Sequence, residues 1–147
     1  MSLLKGKKGL VVGIANEHSI AWGCAKAFHA AGAELAITYM NANAEPHVRP
    51  LAEQIKAPVI AALDVTDNAQ MEALFKVIES TWGKLDFLLH AIAFAPQQDL
   101  HGRVVDCSRQ GFLQAMDISC HSFVRLAHLA EPLMREGGCM LATTYYA

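Results

Sequence analysis

The chain has 147 residues, 53% hydrophobic and 18% charged, with a formal net charge of −2. That balance excludes a disordered chain and gives no basic excess that would make nucleic acid a main partner. Apolar runs such as Phe87-Leu88-Leu89 fall far short of the about 18 residues of a membrane span, and Met1–Lys8 has no apolar core of a secretory signal, so one cytoplasmic domain over residues 1–147 is expected.

Lys8 to Ile14 reads as a first strand. Ser19 to Ala31 reads as a helix, with Ile20, Cys24, Ala27 and Phe28 at near-helical spacing and Gly32 as the stop. Glu34 to Tyr39 is a second strand. Ala44 to Lys56 fits a helix with Pro46 in its first turn, although Pro50 weakens it. Pro58 to Asp64 is a third strand. Asp67 with Gln70 resembles a capping box, and Met71, Leu74, Phe75, Ile78 and Trp82 make the helical stripe behind it. Leu85 to Ala91 is a fourth strand, followed by an irregular stretch to about Cys107. Arg109 to Arg135 is one long helix or two, ended by Gly137-Gly138, and Cys139 to Thr144 is a fifth strand.

Short apolar strands alternating with helices imply a parallel sheet covered on both faces. Right-handed crossovers then give a doubly wound α/β sheet of order 3-2-1-4-5, with its switch point between strands one and four. Ligands of such sheets sit outside the carboxyl ends of the strands. Gly13 to Ser19, Tyr39 to Asn41, Asp64-Val65, Ala91 to Ala95 and Tyr145-Tyr146 all fall at that edge.

The stretch GIANEHSIAWG, Gly13 to Gly23, lies between strand and helix but lacks G-x-G-x-x-G spacing. A diphosphate there would meet free N–H groups and the positive end of the helix dipole. Gly13 allows a sharp turn. Ser19 is placed to cap the helix or to bond a phosphate oxygen, and small Ala21 and Gly23 allow close packing on the sheet. Many strand–turn–helix units that bind no nucleotide share this pattern. Tyr39-Met40-Asn41 carries no acid and meets no cation before Arg49, which favours NADH over NADPH. Asp64 either accepts from an adenine amino group or caps the next turn. Ala91 to Ala95 is either a bed for a flat apolar ring or a buried strand end. One of Tyr145 and Tyr146 could polarise a carbonyl, or pack as a core or interface aromatic. Cys24, Cys107, Cys120 and Cys139 form no C-x-x-C pair, which argues against zinc or a disulfide framework and for buried or half-buried thiols. His121 and His128 lack ligand spacing and read as structural.

Taken together, SIAWG, GAELAITY, LDVTD, WGKLDFLLHAIAFAP and TTYYA resemble, in order and across the whole chain, the FabI-type enoyl-[acyl-carrier-protein] reductases. These are divergent short-chain dehydrogenase/reductases with a Rossmann sheet. The resemblance implies hydride transfer from NADH to C3 of a trans-2-enoyl thioester on acyl carrier protein, in a homotetramer. It implies that Gly13, Ala15, Ser19 and Ile20 hold the diphosphate and ribose. Asp64 and Val65 would meet adenine, and Ala91, Ile92 and Ala93 the nicotinamide side. Phe94 and Ala95 would begin the acyl pocket, and Tyr146 would stand near the thioester carbonyl.

Met40 stands where the family often has Gln, and Ala93 where it usually has Gly. The family continues with a second tyrosine, a lysine and further strands, so these 147 residues are expected to be part of a longer enzyme. Two other functions compete: a non-catalytic nucleotide-binding module, and a short-chain reductase for another carbonyl or enoyl compound.

Overall fold

The computed structural model describes residues 2–144. Strands β1 (Lys8–Val12), β2 (Glu34–Tyr39), β3 (Val59–Ala62), β4 (Phe87–His90) and β5 (Cys139–Ala142) form one parallel sheet in the order β3-β2-β1-β4-β5, as expected. The helices are α1 (Ile20–Ala30), α2 (Glu45–Gln54), α3 (Asn68–Trp82), α4 (Arg109–Met116) and α5 (Ser122–Ala130). β2 has the expected bounds, and the other four strands are shorter than their apolar runs, each giving up its last one or two residues to the loops at the carboxyl edge and β3 and β4 starting one and two residues late.

Successive strand residues serve opposite faces, the period-2 rule of a pleated strand. Leu10 and Val12 of β1 and Leu88 of β4 pack with Met71, Leu74 and Ile78 of α3 and with Leu126 and Ala130 of α5. Val11, Leu35 and Ile37 pack instead with Ala21, Trp22 and Ala25 of α1 and Val48, Leu51 and Ala52 of α2. Both faces are therefore covered, which is why the central strands read as unbroken apolar runs. Each large side chain so buried contributes roughly 1.5–3 kcal/mol of transfer free energy. Gly9 leaves room for the Phe87 ring, since a Cβ there would lie 2.1 Å from it.

The helices start where local chemistry directs them. Asp67 Oδ1 accepts from the N–H groups of Ala69 and Gln70, and Gly83 ends α3 at φ 67°. The box differs from the expected one: Gln70 Nε2 donates to Asp67 Oδ2, and Gln70 Oε1 accepts from the Asp64 N–H rather than from the cap residue. In α2, Pro46 sits in the first turn as expected, and the helix continues through Pro50 because Val48, Leu51 and Ala52 anchor it. The buried face of α1 is Ala21, Trp22 and Ala25, one residue round from the expected stripe. Ile20 is 73% exposed, and Gly23 is exposed with open space where a Cβ would stand, so it does not bring the helix closer to the sheet.

The long helix is two. A π turn, Asp117–His121, joins α4 to α5, and a 3-10 turn, Glu131–Leu133, ends the run. Ser108 caps α4 by accepting from the Gly111 N–H at 2.9 Å. Phe112, Met116 and Val124 stay exposed, and Leu141 lies open on edge strand β5. Cys120 and Cys139 are exposed, contrary to the expectation of buried thiols. Among the described residues, no helix is long and apolar enough to cross a membrane.

Two contacts fix the ends of the central strands. At the amino edge, Asp86 accepts from the Lys8 N–H at 2.8 Å and from the ammonium groups of Lys7 and Lys84. At the carboxyl edge, Gly13 turns away from β1 at φ +110°. A Cβ on Gly13 would lie 2.0 Å from the Ala91 carbonyl oxygen. Only glycine satisfies both conditions.

Burial alone would raise the Asp86 carboxyl, but the Lys8 N–H and the two lysines outweigh it and hold it below the usual range. Asp86→Asn is expected to cost about 1.5–3 kcal/mol at neutral pH in urea unfolding, the range of a lost charge-assisted bond. Because the folded pKa is depressed, that contribution is present above the unfolded value of about 3.9 and disappears as pH falls through the folded value, so the two proteins should converge in acid. Gly13→Ala combines backbone strain with overpacking and is expected to lower stability by about 2–4 kcal/mol in the same assay.

Candidate functional site

The carboxyl edge holds a cleft of about 370 Å³ whose lining is mainly apolar. It opens at the switch point, where the chain leaves β1 toward α1 and β4 toward the long loop. Gly13, Ala15, Asp64, Val65, Ala91, Ile92, Ala93 and Phe94 line it together, although they come from three separate loops. The volume and the few polar groups are those of a small-molecule pocket.

The first loop offers N–H groups to an anion, though not as its sequence suggested. Ser19 makes no side-chain cap to α1. Its Oγ accepts from the N–H groups of Ala15 at 3.0 Å and Asn16 at 3.1 Å, which closes the loop on itself. Two acceptances leave the hydroxyl proton free to donate outward. Asn16 Oδ1 takes the His18 N–H, and the Asn16 carbonyl takes the Ser19 N–H. Among the described residues the N–H groups of Ile20 and Ala21 have no partner. With the dipole of the 11-residue α1 behind them, they form an anion seat. Ser19 and Ile20 do not line the cleft; they border the loop through Ala15 and the start of α1.

At the far end Asp64 uses one carboxylate oxygen and keeps the other open. Its Oδ1 accepts from the Thr66 N–H at 2.9 Å and hydroxyl at 2.7 Å, so it caps the next turn. Its Oδ2 has no partner among the described residues and remains free to accept, so the capping and amino-binding readings are compatible. Thr38, buried at the end of β2, and the exposed side chain of Met40 extend this wall. Asn41 is occupied, its Oδ1 accepting from the Asn43 and Ala44 N–H groups. Arg49 is occupied as well, bound to Glu45 at 2.5 Å and lying over the Tyr39 ring.

Beneath the middle of the cleft, Ala91 and Ile92 are half-buried and Ala93 is exposed, giving a flat bed of small and apolar side chains. Phe94 extends it, whereas Ala95 is half-buried and does not line the cleft. Under this bed His90 is buried; burial pushes its imidazole pKa down, which keeps it neutral. Its Nε2 lies 2.7 Å from Ser122 Oγ. The Ser122 proton is committed to the Ile118 carbonyl at 2.6 Å, so the network assigns the imidazole proton to Nε2.

The long loop is tied back by Asp99. Its Oδ1 accepts from the Ser108 N–H at 2.6 Å and its Oδ2 from the Ser108 hydroxyl at 3.1 Å. The Ser108 N–H is the main cause that holds the Asp99 carboxyl below the usual range. Gly111 leaves space for this carboxylate, since its Cβ would lie 1.9 Å from Asp99 Oδ2. Sequence reasoning missed Gln114 of α4 and Ile118 of the π turn, which line the cleft, because they read as ordinary helix positions. Tyr146 lies outside the described residues.

The fold and the cleft have counterparts among known proteins. The crystal structure of the reductase from Anaplasma phagocytophilum in complex with NAD matches with a TM-score of 0.94 at 46% identity, over 98% of this chain and 55% of that one. The Bacillus cereus enoyl-acyl carrier protein reductase, solved with NADP+ and indole naphthyridinone, matches with a TM-score of 0.95 at 42% identity, over 99% and 57%. The curated relative "Enoyl-[acyl-carrier-protein] reductase [NADH] 1" of Rhizobium meliloti is 46% identical over 144 residues, 98% of this chain and 53% of its own. The chain thus spans about half the length of the relatives it matches. A family profile described as Enoyl-(Acyl carrier protein) reductase matches residues 13–147. With that profile covering the switch-point loop, the bed after β4 and all that follows, the chain belongs to the enoyl-(acyl carrier protein) reductase family.

Proposed function

We propose that the protein is a cytoplasmic reductase that binds NADH in the switch-point cleft and reduces the trans-2 double bond of an enoyl thioester carried on acyl carrier protein. The observation that carries this reading is a free carboxylate oxygen and a flat apolar bed in one cleft, with an anion seat on the loop that borders it. Membership of the reductase family and the NADH in the name of its Rhizobium relative support it.

Each residue then has a task. The N–H groups of Ile20 and Ala21 and the hydroxyl of Ser19 receive the diphosphate, with Gly13 and Ala15 close beside it. Asp64 Oδ2 accepts from the adenine amino group, and Val65 packs against the ring. Ala91, Ile92 and Ala93 support the nicotinamide, and Phe94 and Ala95 border the acyl chain. NADH supplies a hydride to C3 of the substrate. By family resemblance Tyr146 stands near the thioester carbonyl, where a phenol would donate to the oxygen as negative charge develops. The exposed Phe112, Met116 and Val124 support a homotetrameric assembly in which this helix face is covered.

The preference for NADH rests on Arg49. Its guanidinium is already bound by Glu45, so a 2′-phosphate would find no free cation there. The Bacillus structure holds NADP+, so both cofactors belong in the test. Fluorescence titration is expected to show NADH binding at least about tenfold tighter than NADPH, a difference of about 1.4 kcal/mol. Equal affinities would remove the cofactor preference. Failure to bind either would remove the whole reading. For the reaction, NADH oxidation with a crotonyl thioester but not with simple ketones is expected of a protein of the relatives' full length, and no turnover of these 147 residues alone; oxidation with ketones but not with the thioester would favour another short-chain reductase.

A further inference from the structure

The helix behind the cleft is interrupted where it passes the site. Residues Asp117–His121 form a π turn. Such a turn adds a residue and re-aims side chains, and it recurs at functional sites. Here two consecutive residues face the sheet edge. Ile118 lines the cleft and packs on the core. Ser119 Oγ accepts from the Phe94 N–H at 2.9 Å and donates to the Phe94 carbonyl at 3.1 Å. Phe94 lies beyond β4, where no ladder holds the backbone, and one hydroxyl satisfies both of its main-chain polar groups.

Arg125, on α5 just after the turn, reaches the opposite end of the cleft. Arg125 Nη2 donates to the Val65 carbonyl at 2.8 Å. Its Nη1 bonds Asp117 Oδ1 at 2.6 Å and lies 3.1 Å from His121 Nδ1. The side chain is only 21% exposed, and among the described residues its Nε is buried without a partner. The planar fork spans a carboxylate and a carbonyl at once, which a lysine ammonium does not reproduce. Val65 and Phe94 both line the cleft, one beside Asp64 and the other after the apolar bed.

We propose that the π turn and the start of α5 form a strut that fixes the two ends of the cofactor site independently, Arg125 of α5, tied to Asp117 of the turn, holding the adenine wall through the Val65 carbonyl and Ser119 of the turn holding the nicotinamide wall through the backbone of Phe94. The proposal rests on the cleft taking a dinucleotide. Arg125 and Ser119 are positioning residues; neither needs to touch the cofactor. Walls built from loops hold a ligand in productive geometry only when supporting bonds lock them to within about 0.5 Å.

The test reads the two ends separately, with ADP-ribose affinity for the adenine end and the emission maximum of bound NADH at saturation for the nicotinamide end. Arg125→Met is expected to weaken ADP-ribose about tenfold, the effect of losing one charge-assisted bond, and to leave the NADH emission unchanged. Arg125→Lys should weaken it too, and serves if the methionine variant does not fold. Ser119→Ala should shift the NADH emission and keep ADP-ribose affinity within about twofold, and Ser119→Thr, which keeps the hydroxyl, should restore the emission. A wild-type protein that binds neither probe overturns the cofactor reading itself. Wild-type binding of both probes, with each variant disturbing both ends alike or neither, overturns the strut alone.

Discussion

The carboxyl edge of the sheet depends on the approach of Gly13 to the Ala91 carbonyl. β1 and β4 run side by side in register from Gly9 opposite Phe87 to Val12 opposite His90, and the Ala91 N–H continues the ladder to the Val12 carbonyl. One residue later the strands part, one chain turning toward α1 and the other running on into the apolar bed. With any side chain at Gly13 the two backbones would be forced apart. The anion seat would move away from the bed, and one flat cofactor could no longer lie across both.

Around that contact the polar groups divide into those already used and those left open. Ser19, Asn16, Asn41 and Asp64 Oδ1 all bind neighbouring backbone, and they give the loops their shape. The Ile20 and Ala21 N–H groups and Asp64 Oδ2 remain open among the described residues, and they mark where a ligand would be held. Arg49, the first cation after β2, belongs to the used group through Glu45. That ion pair lies within α2.

Much of this was legible in the sequence because it depended on neighbours in the chain. Apolar runs of strand length separated by helical periods fixed the parallel order, and Asp67 announced the start of α3 through a bond two residues away. The stripe of α1 was harder to read. At a helix start Ile20 has no preceding turn to pack on, and the alanines that do the packing carry little signal, so the expected face was rotated by a residue. Ser19 suggested a cap, but the loop N–H groups of Ala15 and Asn16 competed for its oxygen and won. The π turn left no mark, since Ser119 bonds a residue 25 positions away and Arg125 one 60 positions away. Tyr146 was reached only by resemblance and lies outside the described residues.

The most direct measurement is an amide NMR titration of the protein with NADH, followed residue by residue. The account predicts that the largest shifts fall on Gly13, Ala15, Ile20 and Ala21 at one end of the first loop, on Asp64 and Val65, and on Ala91 to Phe94. Saturation without movement of the Ile20 and Ala21 amides, or shifts centred on another surface, would contradict the assignment of this cleft as the cofactor site.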